Sequence, residues 1–201
     1  MQSSYYKMNT TTDQYHIDQT LGGDANAFGE LVGRYQDYVY TIVVRMIRNK
    51  EEAQEIVQDT FVKAYQSLAN YRGEAKFSSW LYTIAYRKTL DRIKQQKRMV
   101  DSDTLDYCNE GDLGDVTNAL DFMMMEERKA VIKKAIESLA PDVAAIITYY
   151  YYEELSVKEI VEITGLGADN IKVKLFRGRK KLFTLLQQSI LPEIQNGYGT
   201  V

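Results

Sequence analysis

Ser156-Val-Lys-Glu-Ile-Val-Glu-Ile-Thr-Gly165-Leu-Gly-Ala-Asp-Asn-Ile171-Lys-Val-Lys-Leu-Phe-Arg-Gly-Arg-Lys-Lys181 is the stretch that decides the fold. Ser156 and Glu159 have the spacing of a capping box, in which the serine hydroxyl accepts from the third helical N–H and the glutamate reaches back to the serine N–H. Leu155 and Ile160 are placed to clasp each other across that box as a hydrophobic staple. Gly165 then supplies the left-handed residue that ends a short helix. A longer helix runs from about Ala168 to Leu186, with Ile171, Leu175, Gly178, Leu182 and Leu185 facing inward. A short capped helix, a glycine turn and a longer basic helix together make a helix-turn-helix. Its second helix must enter a major groove about 12 Å wide, so its outer face has to be polar, basic and unobstructed. That face carries Lys172, Val173, Phe176, Arg177, Lys180 and Lys181. A lone basic helix would be read as a solvated surface; the capping box, turn and basic second helix together weigh towards DNA.

Working upstream, Pro141 suits the first turn of a helix, where its missing N–H is no loss. That helix carries Val143, Ile146, Ile147 and Tyr150, and another before it carries Leu120, Met123, Met124, Ile132, Ile136 and Leu139. In the first half, Phe28, Leu31, Val32, Tyr35, Val39, Ile42, Val43 and Met46 keep a helical rhythm, with Asp24 as N-cap. Ala53, Ile56, Val57, Phe61, Ala64 and Leu68 repeat it, Tyr71 to Lys76 break it as a loop, and Phe77, Trp80, Leu81, Ile84 and Ala85 resume it near Ser78. No run alternates as a half-buried strand would. The fold class is therefore all-α, with two helical domains joined by a flexible acidic linker and a helix-turn-helix in the C-terminal one. The expected boundaries are an N-terminal tail at 1–20, a helical domain at 21–98, the linker at 99–117, the helix-turn-helix domain at 118–190 and a C-terminal tail at 191–201. The linker follows from low hydrophobicity and like charge, which cannot offset the entropy of ordering; fully extended, it would reach about 60 Å.

Composition narrows the function. The 201 residues contain one cysteine, Cys108, and one histidine, His16, too few ligands for a zinc site and no partner for a disulfide. No cofactor is implied, no apolar run suits a signal peptide or a bilayer span, and the expected compartment is the cytoplasm. The net charge of −3 conceals strong segregation. Tyr71 to Arg98 holds eight basic residues against Glu74 and Asp91, Asp101 to Glu127 holds nine acids and no lysine or arginine, and Gly167 to Lys181 holds six basic residues against Asp169. The first basic island also carries Tyr71, Phe77, Trp80, Tyr82 and Tyr86. Opened DNA needs both kinds of group, cations to follow phosphates and aromatic or loop pockets for unstacked bases. Phe77 and Trp80 read as core, whereas Tyr86, Arg87 and the loop residues read as the functional candidates. The run Tyr149 to Tyr152 must divide between core and surface and suggests no function of its own. No nucleophile with a base, carboxylate pair or phosphate-cradling loop is recognisable, so the chain is not expected to be an enzyme.

Gly23-Asp-Ala-Asn-Ala-Phe28 with Leu31 and Tyr35, Glu52-Ala-Gln-Glu-Ile-Val-Gln-Asp-Thr-Phe61, Phe77-Ser-Ser-Trp-Leu81 with Ile84-Ala85 and Asp91, Leu155-Ser-x-x-Glu-Ile160, and Ile171-Lys-x-Lys-Leu-Phe-Arg-x-Arg179 follow one another in an order that resembles the extracytoplasmic-function (ECF) sigma factors. The resemblance covers Leu21 to Leu186 apart from the linker. It implies a transcription initiation factor whose partners are RNA polymerase core, promoter DNA and an anti-sigma factor, with no membrane insertion. It implies that Glu55, Gln58, Asp59 and Phe61 bind core, that Tyr71, Arg72, Lys76, Tyr86, Arg87 and Lys94 hold the opened −10 element, and that Lys172, Val173, Phe176, Arg177 and Lys180 read the −35 element. It also suggests that the acidic linker, repelled by bare DNA, follows a basic channel of the polymerase. Arg87 stands where the family often has asparagine, Gly167 and Val173 where it commonly has serine, and Asn170 where it usually has threonine; Pro141 is shifted by one place. The alternatives are a stand-alone helix-turn-helix regulator, which would bind an operator tightly without polymerase, and a helical protein-interaction adapter, which would show no salt-dependent affinity for DNA.

Overall fold

The computed structural model describes residues 13–97 and 125–197, and among them every regular element is helical. Helix α1 covers 13–21, so residues 13–20 of the stretch expected as an N-terminal tail are helical. Its anchor is Ile17, which is buried in the core. Asp13, also buried, accepts hydrogen bonds from the Arg34 guanidinium and from the Tyr35 hydroxyl at 2.5 Å. The polar run hid both anchors, because one isoleucine and one aspartate make no periodic pattern.

Helix α2, Ala25–Ile47, starts at Asp24, whose carboxylate accepts from the Asn26 N–H at 2.9 Å. It buries Leu31, Val39, Ile42, Val43 and Met46. Fully burying one such side chain stabilises the fold by about 1.5–3 kcal/mol, so this stripe outweighs any single polar contact along it. The helix ends at Arg48 in a left-handed conformation with φ of 62°. Asn49 caps helix α3, Lys50–Ser67, by accepting from the Glu52 N–H, and Glu51 and Glu52 sit in its first turn, where the helix dipole favours acids. After a 3₁₀ turn at Leu68–Asn70 and the expected loop, helix α4, Phe77–Lys97, closes the three-helix packing with Phe77, Leu81 and Ala85.

The second group is α5 (Met125–Glu137), α6 (Pro141–Tyr151), α7 (Val157–Thr164) and α8 (Ala168–Gly197). Pro141 opens α6 at its first turn, and α8 continues past the expected boundary at 190. The expected linker at 99–117, Cys108, and the apolar positions Leu120, Met123 and Met124 lie outside the described residues.

The two groups do not stand apart. Helix α6 packs on α2, α7 packs on α4, and one apolar core runs from Ile17 through to Leu175. Nothing in the local rhythm of either half announces this packing. The cavity beside it, about 480 Å³, is lined by Glu74, Ala75, Ser79, Trp80 and Thr83 on one side and by Glu162 of α7 on the other. Among the described residues no helix is long and apolar enough to cross a membrane, and no cluster of three or more His, Cys, Asp or Glu could hold a metal ion.

Candidate nucleic-acid interface

The helix-turn-helix forms as its residues dictate. The Ser156 side chain accepts from the Glu159 N–H at 3.3 Å, while the Glu159 carboxylate accepts from the Ser156 N–H at 2.9 Å. Gly165 ends α7 with φ of 73°, and Leu155, Ile160, Ile163, Ile171 and Leu175 bury the inner side of the unit. At 100° per residue, Val173, Phe176, Arg177 and Lys180 then fall on the opposite side of α8. Lys172, Val173, Phe176 and Arg177 are exposed there, Phe176 at 61% and Val173 at 45%. An exposed phenylalanine and valine thus stand among the cations on this face. Lys180 is half-buried at its edge. Asn170, absent from the expected set, is exposed one turn before Val173. The Lys172 ammonium lies 3.3 Å from Asp169, an exposed pair that water screens.

The first basic island divides in two. Lys88 lies 3.3 Å from Asp59 and Arg92 lies 3.1 Å from Glu55, both pairs bridging α4 to α3. Two of the eight cations are thus matched by the acids of the expected core-binding helix. Arg72, Lys76, Arg87 and Lys94 remain on the outside of the loop and of α4. Tyr71 is half-buried against Phe77 and Trp80, with its hydroxyl donating to the Ala75 carbonyl at 2.6 Å, so it shapes the loop from within. Phe77 is core as expected, whereas Trp80 is only half-buried and walls the 480 Å³ cavity.

Two expected contact residues are core instead. Tyr86 is 3% exposed, its ring edge-on to Tyr149 of α6. Burial, with the charge of Asp142 adding to it, pushes its hydroxyl pKa up to about 12. Helical spacing put Tyr86 next to Arg87, but the 100° between them sends one inward and the other out. Phe61 is 6% exposed and packs edge-on to Phe28, so it supports α3 rather than presenting itself on it. What the sequence missed on that helix is the exposed pair Val62 and Tyr65 (55% and 47%), beside an apolar cavity of about 290 Å³ lined also by Phe28, Phe61 and Gln66. They continue the exposed stripe of Glu55, Gln58 and Asp59 by one and two turns.

A further set joins the two groups of helices. The Lys76 ammonium lies 2.9 Å from Glu159, and the Arg48 guanidinium donates to the Leu139 carbonyl at 2.6 Å. Burial alone would raise the Glu159 carboxyl, but hydrogen bonds from Lys76 and Ser156 outweigh it and hold the group below the usual range. The Tyr82 hydroxyl donates to buried Glu153 at 2.9 Å, and the Tyr82 ring stacks on Tyr149 at 5.8 Å. Arg45, buried in α2, donates to the Thr148 hydroxyl at 3.0 Å and stands 4.0 Å over the Tyr152 ring. Tyr149 is core and Tyr150, Tyr151 and Tyr152 are exposed, so the tyrosine run divides as expected, but on an interface.

Comparison with known proteins matches two stretches of the chain to described families. The family described as sigma-70 region 2 matches residues 31–99, and that described as sigma-70, region 4 matches residues 129–182. The chain is similar to the RNA polymerase sigma-H factor of Pseudomonas aeruginosa, with 31% identity over 181 residues, 87% of this chain and 94% of that protein. It is similar to the ECF RNA polymerase sigma-E factor of Escherichia coli, with 31% identity over 185 residues, 89% of this chain and 96% of that protein. Among solved structures it resembles in fold the sigma factor RpoE in complex with the anti-sigma factor NepR from Bartonella quintana, with a TM-score of 0.60 at 19% identity, covering 80% of this chain and 96% of that one. It also resembles CnrH in complex with the cytosolic domain of CnrY, with a TM-score of 0.62 at 22% identity, covering 88% and 98%.

Proposed function

This chain belongs to the sigma-70 family as an extracytoplasmic-function RNA polymerase sigma factor, a transcription initiation factor, and from that membership we propose how its residues share the work. It binds RNA polymerase core, directs it to promoters through their −35 and −10 elements and promotes melting of the DNA. Glu55, Gln58 and Asp59, extended by Val62 and Tyr65, form the surface of α3 that meets core. Arg72, Lys76, Arg87 and Lys94 follow the phosphates of the opened −10 strand, and Tyr71 holds the loop in shape. Lys172, Val173, Phe176 and Arg177 enter the major groove at −35. Its contribution is binding energy and charge rather than covalent chemistry, and it works in the cytoplasm beside core. The relatives solved with anti-sigma factors support a further partner of that kind.

The observation that carries this reading is the outer face of α8, where exposed apolar and cationic side chains alternate above a capped, tightly packed unit. Run-off transcription with purified core tests it: the chain should confer initiation at specific promoters. Competent core that stays silent on every genomic promoter tried would overturn it, and tight operator binding without core would favour a stand-alone regulator instead. Arg177→Ala should cost about 1–3 kcal/mol at the −35 element, the range for a good bidentate contact to guanine. Competition between −35 duplexes would reveal that loss as relaxed sequence preference. Arg87→Ala should instead spare closed-complex binding and slow opening, seen as weakened permanganate reactivity of −10 thymines at unchanged occupancy.

A further inference from the structure

Asp13 is a carboxylate where a helix facing the core ordinarily carries an apolar residue. Asp13, Ile17 and Thr20 follow one another at helical spacing along the inner face of α1, and all three are buried. Arg34 and Tyr35, neighbours on α2, both donate to it. The guanidinium takes one carboxylate oxygen and the tyrosine hydroxyl takes the other at 2.5 Å. Stability alone gives no reason for this arrangement. Well-packed apolar side chains often hold as firmly as a buried ion pair, because desolvation cancels much of the attraction. What a carboxylate supplies over a leucine is direction, since a charge-assisted O–H···O bond is short and fixes where its donor sits.

The fixed hydroxyl begins a chain of contacts that ends in the loop from Tyr71 to Lys76. The Tyr35 ring is tilted against Phe77 at 5.6 Å. Phe77 meets Tyr71 edge-on at 5.7 Å and Trp80 at 5.6 Å, and Tyr71 completes the triangle on Trp80 at 5.3 Å. The Tyr71 hydroxyl then spans the loop to the Ala75 carbonyl at 2.6 Å, across Gly73 with its left-handed φ of 71°. Burial raises the Tyr71 hydroxyl pKa and the charge of Asp13 adds to it, so the carboxylate on α1 lies within electrostatic reach of the loop. Arg72 and Lys76 stand exposed on that loop.

We infer that Asp13 is a positioning residue for the −10 loop: through Tyr35 and Phe77 it holds the Tyr71 ring, and with it the reach of Arg72 and Lys76 towards the opened strand. The inference rests on the function proposed above and deepens it by adding α1, which has no DNA contact in that reading. Opening depends on such reach. A cation holds a phosphate at a charge-assisted hydrogen-bond distance of about 2.7–2.9 Å, and displacing a positioned group by about 1 Å can cost on the order of a hundredfold in rate. A Tyr71 ring free to rock on Phe77 moves both ends of the loop, since Tyr71 starts it and bonds to Ala75 near its close.

Trp80 is the chain's one tryptophan and stands in the ring cluster, so it reports on the loop without polymerase. Tyr35→Phe removes the hydroxyl and leaves the ring on Phe77. In the full chain it should raise acrylamide quenching of Trp80. With core on a promoter it should slow opening on the order of tenfold, read as permanganate reactivity of the −10 thymines at unchanged closed-complex occupancy. Asp13→Leu combined with Tyr35→Phe replaces the bonded pair by apolar groups, with the half-buried Arg34 still in touch with water. This double variant should melt with its parent, yet quench and open like Tyr35→Phe alone. A purely structural role predicts the reverse, with shielding and opening restored along with stability. That recovery would overturn the inference, as would a Tyr35→Phe chain whose Trp80 is as shielded as the parent's. If the parent itself is silent with competent core while Trp80 responds as expected, the functional reading fails and takes the inference with it.

Discussion

Gly178→Leu will unfold or splay the helix-turn-helix group and abolish −35 binding while leaving α2, α3 and α4 folded. Gly178 is buried where α8 crosses α6, and a Cβ added there would lie 2.8 Å from Val143 Cγ1 and 3.1 Å from Ile147 Cδ1. Neither neighbour can swing aside. Both are β-branched and stiff at χ1 in a helix, and Ile147 is itself only 1% exposed. Overpacking of this kind costs about 1–3 kcal/mol, and a leucine adds three more carbons to accommodate. Gly178→Ala sets two effects against each other, because leaving glycine in a helix gains about 1 kcal/mol, so it should destabilise by less. Gly29→Ala and Gly33→Ala in α2 are the controls. Both sites are exposed with nothing within 4 Å of the new Cβ, so each should stabilise the chain by the propensity gain alone. Chemical denaturation followed by circular dichroism, with anisotropy on a −35 duplex, reads both signs. A Gly178→Leu chain that melts and binds like its parent would mean that α6 and α8 do not cross at this glycine.

That glycine also shows how far a sequence can be read. Its period placed Gly178 inward with Ile171 and Leu175, and the structure agrees, because a helix facing one core repeats its inner residues locally. The capping box at Ser156, the cap at Asp24 and the turn at Gly165 were legible for the same reason: each is a bargain struck within four residues. Tyr86 and Phe61 are buried where contacts were expected, because spacing gives a face but does not say which neighbour covers it. Tyr86 is beside Arg87 in sequence and beside Tyr149 in space. Exposed Val62 and Tyr65 carry no signal in the sequence, because exposed apolar residues break no local rule. The packing between the two groups lies beyond local pattern altogether. Tyr82 and Glu153 are 71 positions apart and Arg45 and Thr148 are 103 apart, and none belongs to a recurring pattern. The run of tyrosines was visible, but its partner was not.

Arg45→Ala should loosen the packing of α6 on α2 without unfolding either group of helices. Its guanidinium makes a cation–π contact with the exposed Tyr152 ring, worth about 0.5–1 kcal/mol, and helps to neutralise Glu153. Removing one member of a buried charged set typically costs about 3–5 kcal/mol, because the other charge is left uncompensated. Glu153 has an escape that a core residue lacks: separation of α6 from α2 returns it to water. The penalty is therefore capped by the cost of opening, and the variant should expand, seen as a larger hydrodynamic radius at unchanged helicity. Glu153→Gln in the same background should reverse this, since a neutral amide still accepts from Tyr82 and leaves no buried charge. Acid should act likewise at this carboxyl. Its pKa is raised by burial in this packing, so its protonated form favours the packed chain most fully below the ordinary value near 4.5, and that advantage is lost as pH rises through the packed-state value. Glu159, held low by Lys76, titrates with the opposite sign, so the Gln substitution separates the two where pH alone does not. Expansion of Arg45→Ala that Glu153→Gln fails to reverse would mean that Arg45 acts through Thr148 and Tyr152 alone, without the carboxylate.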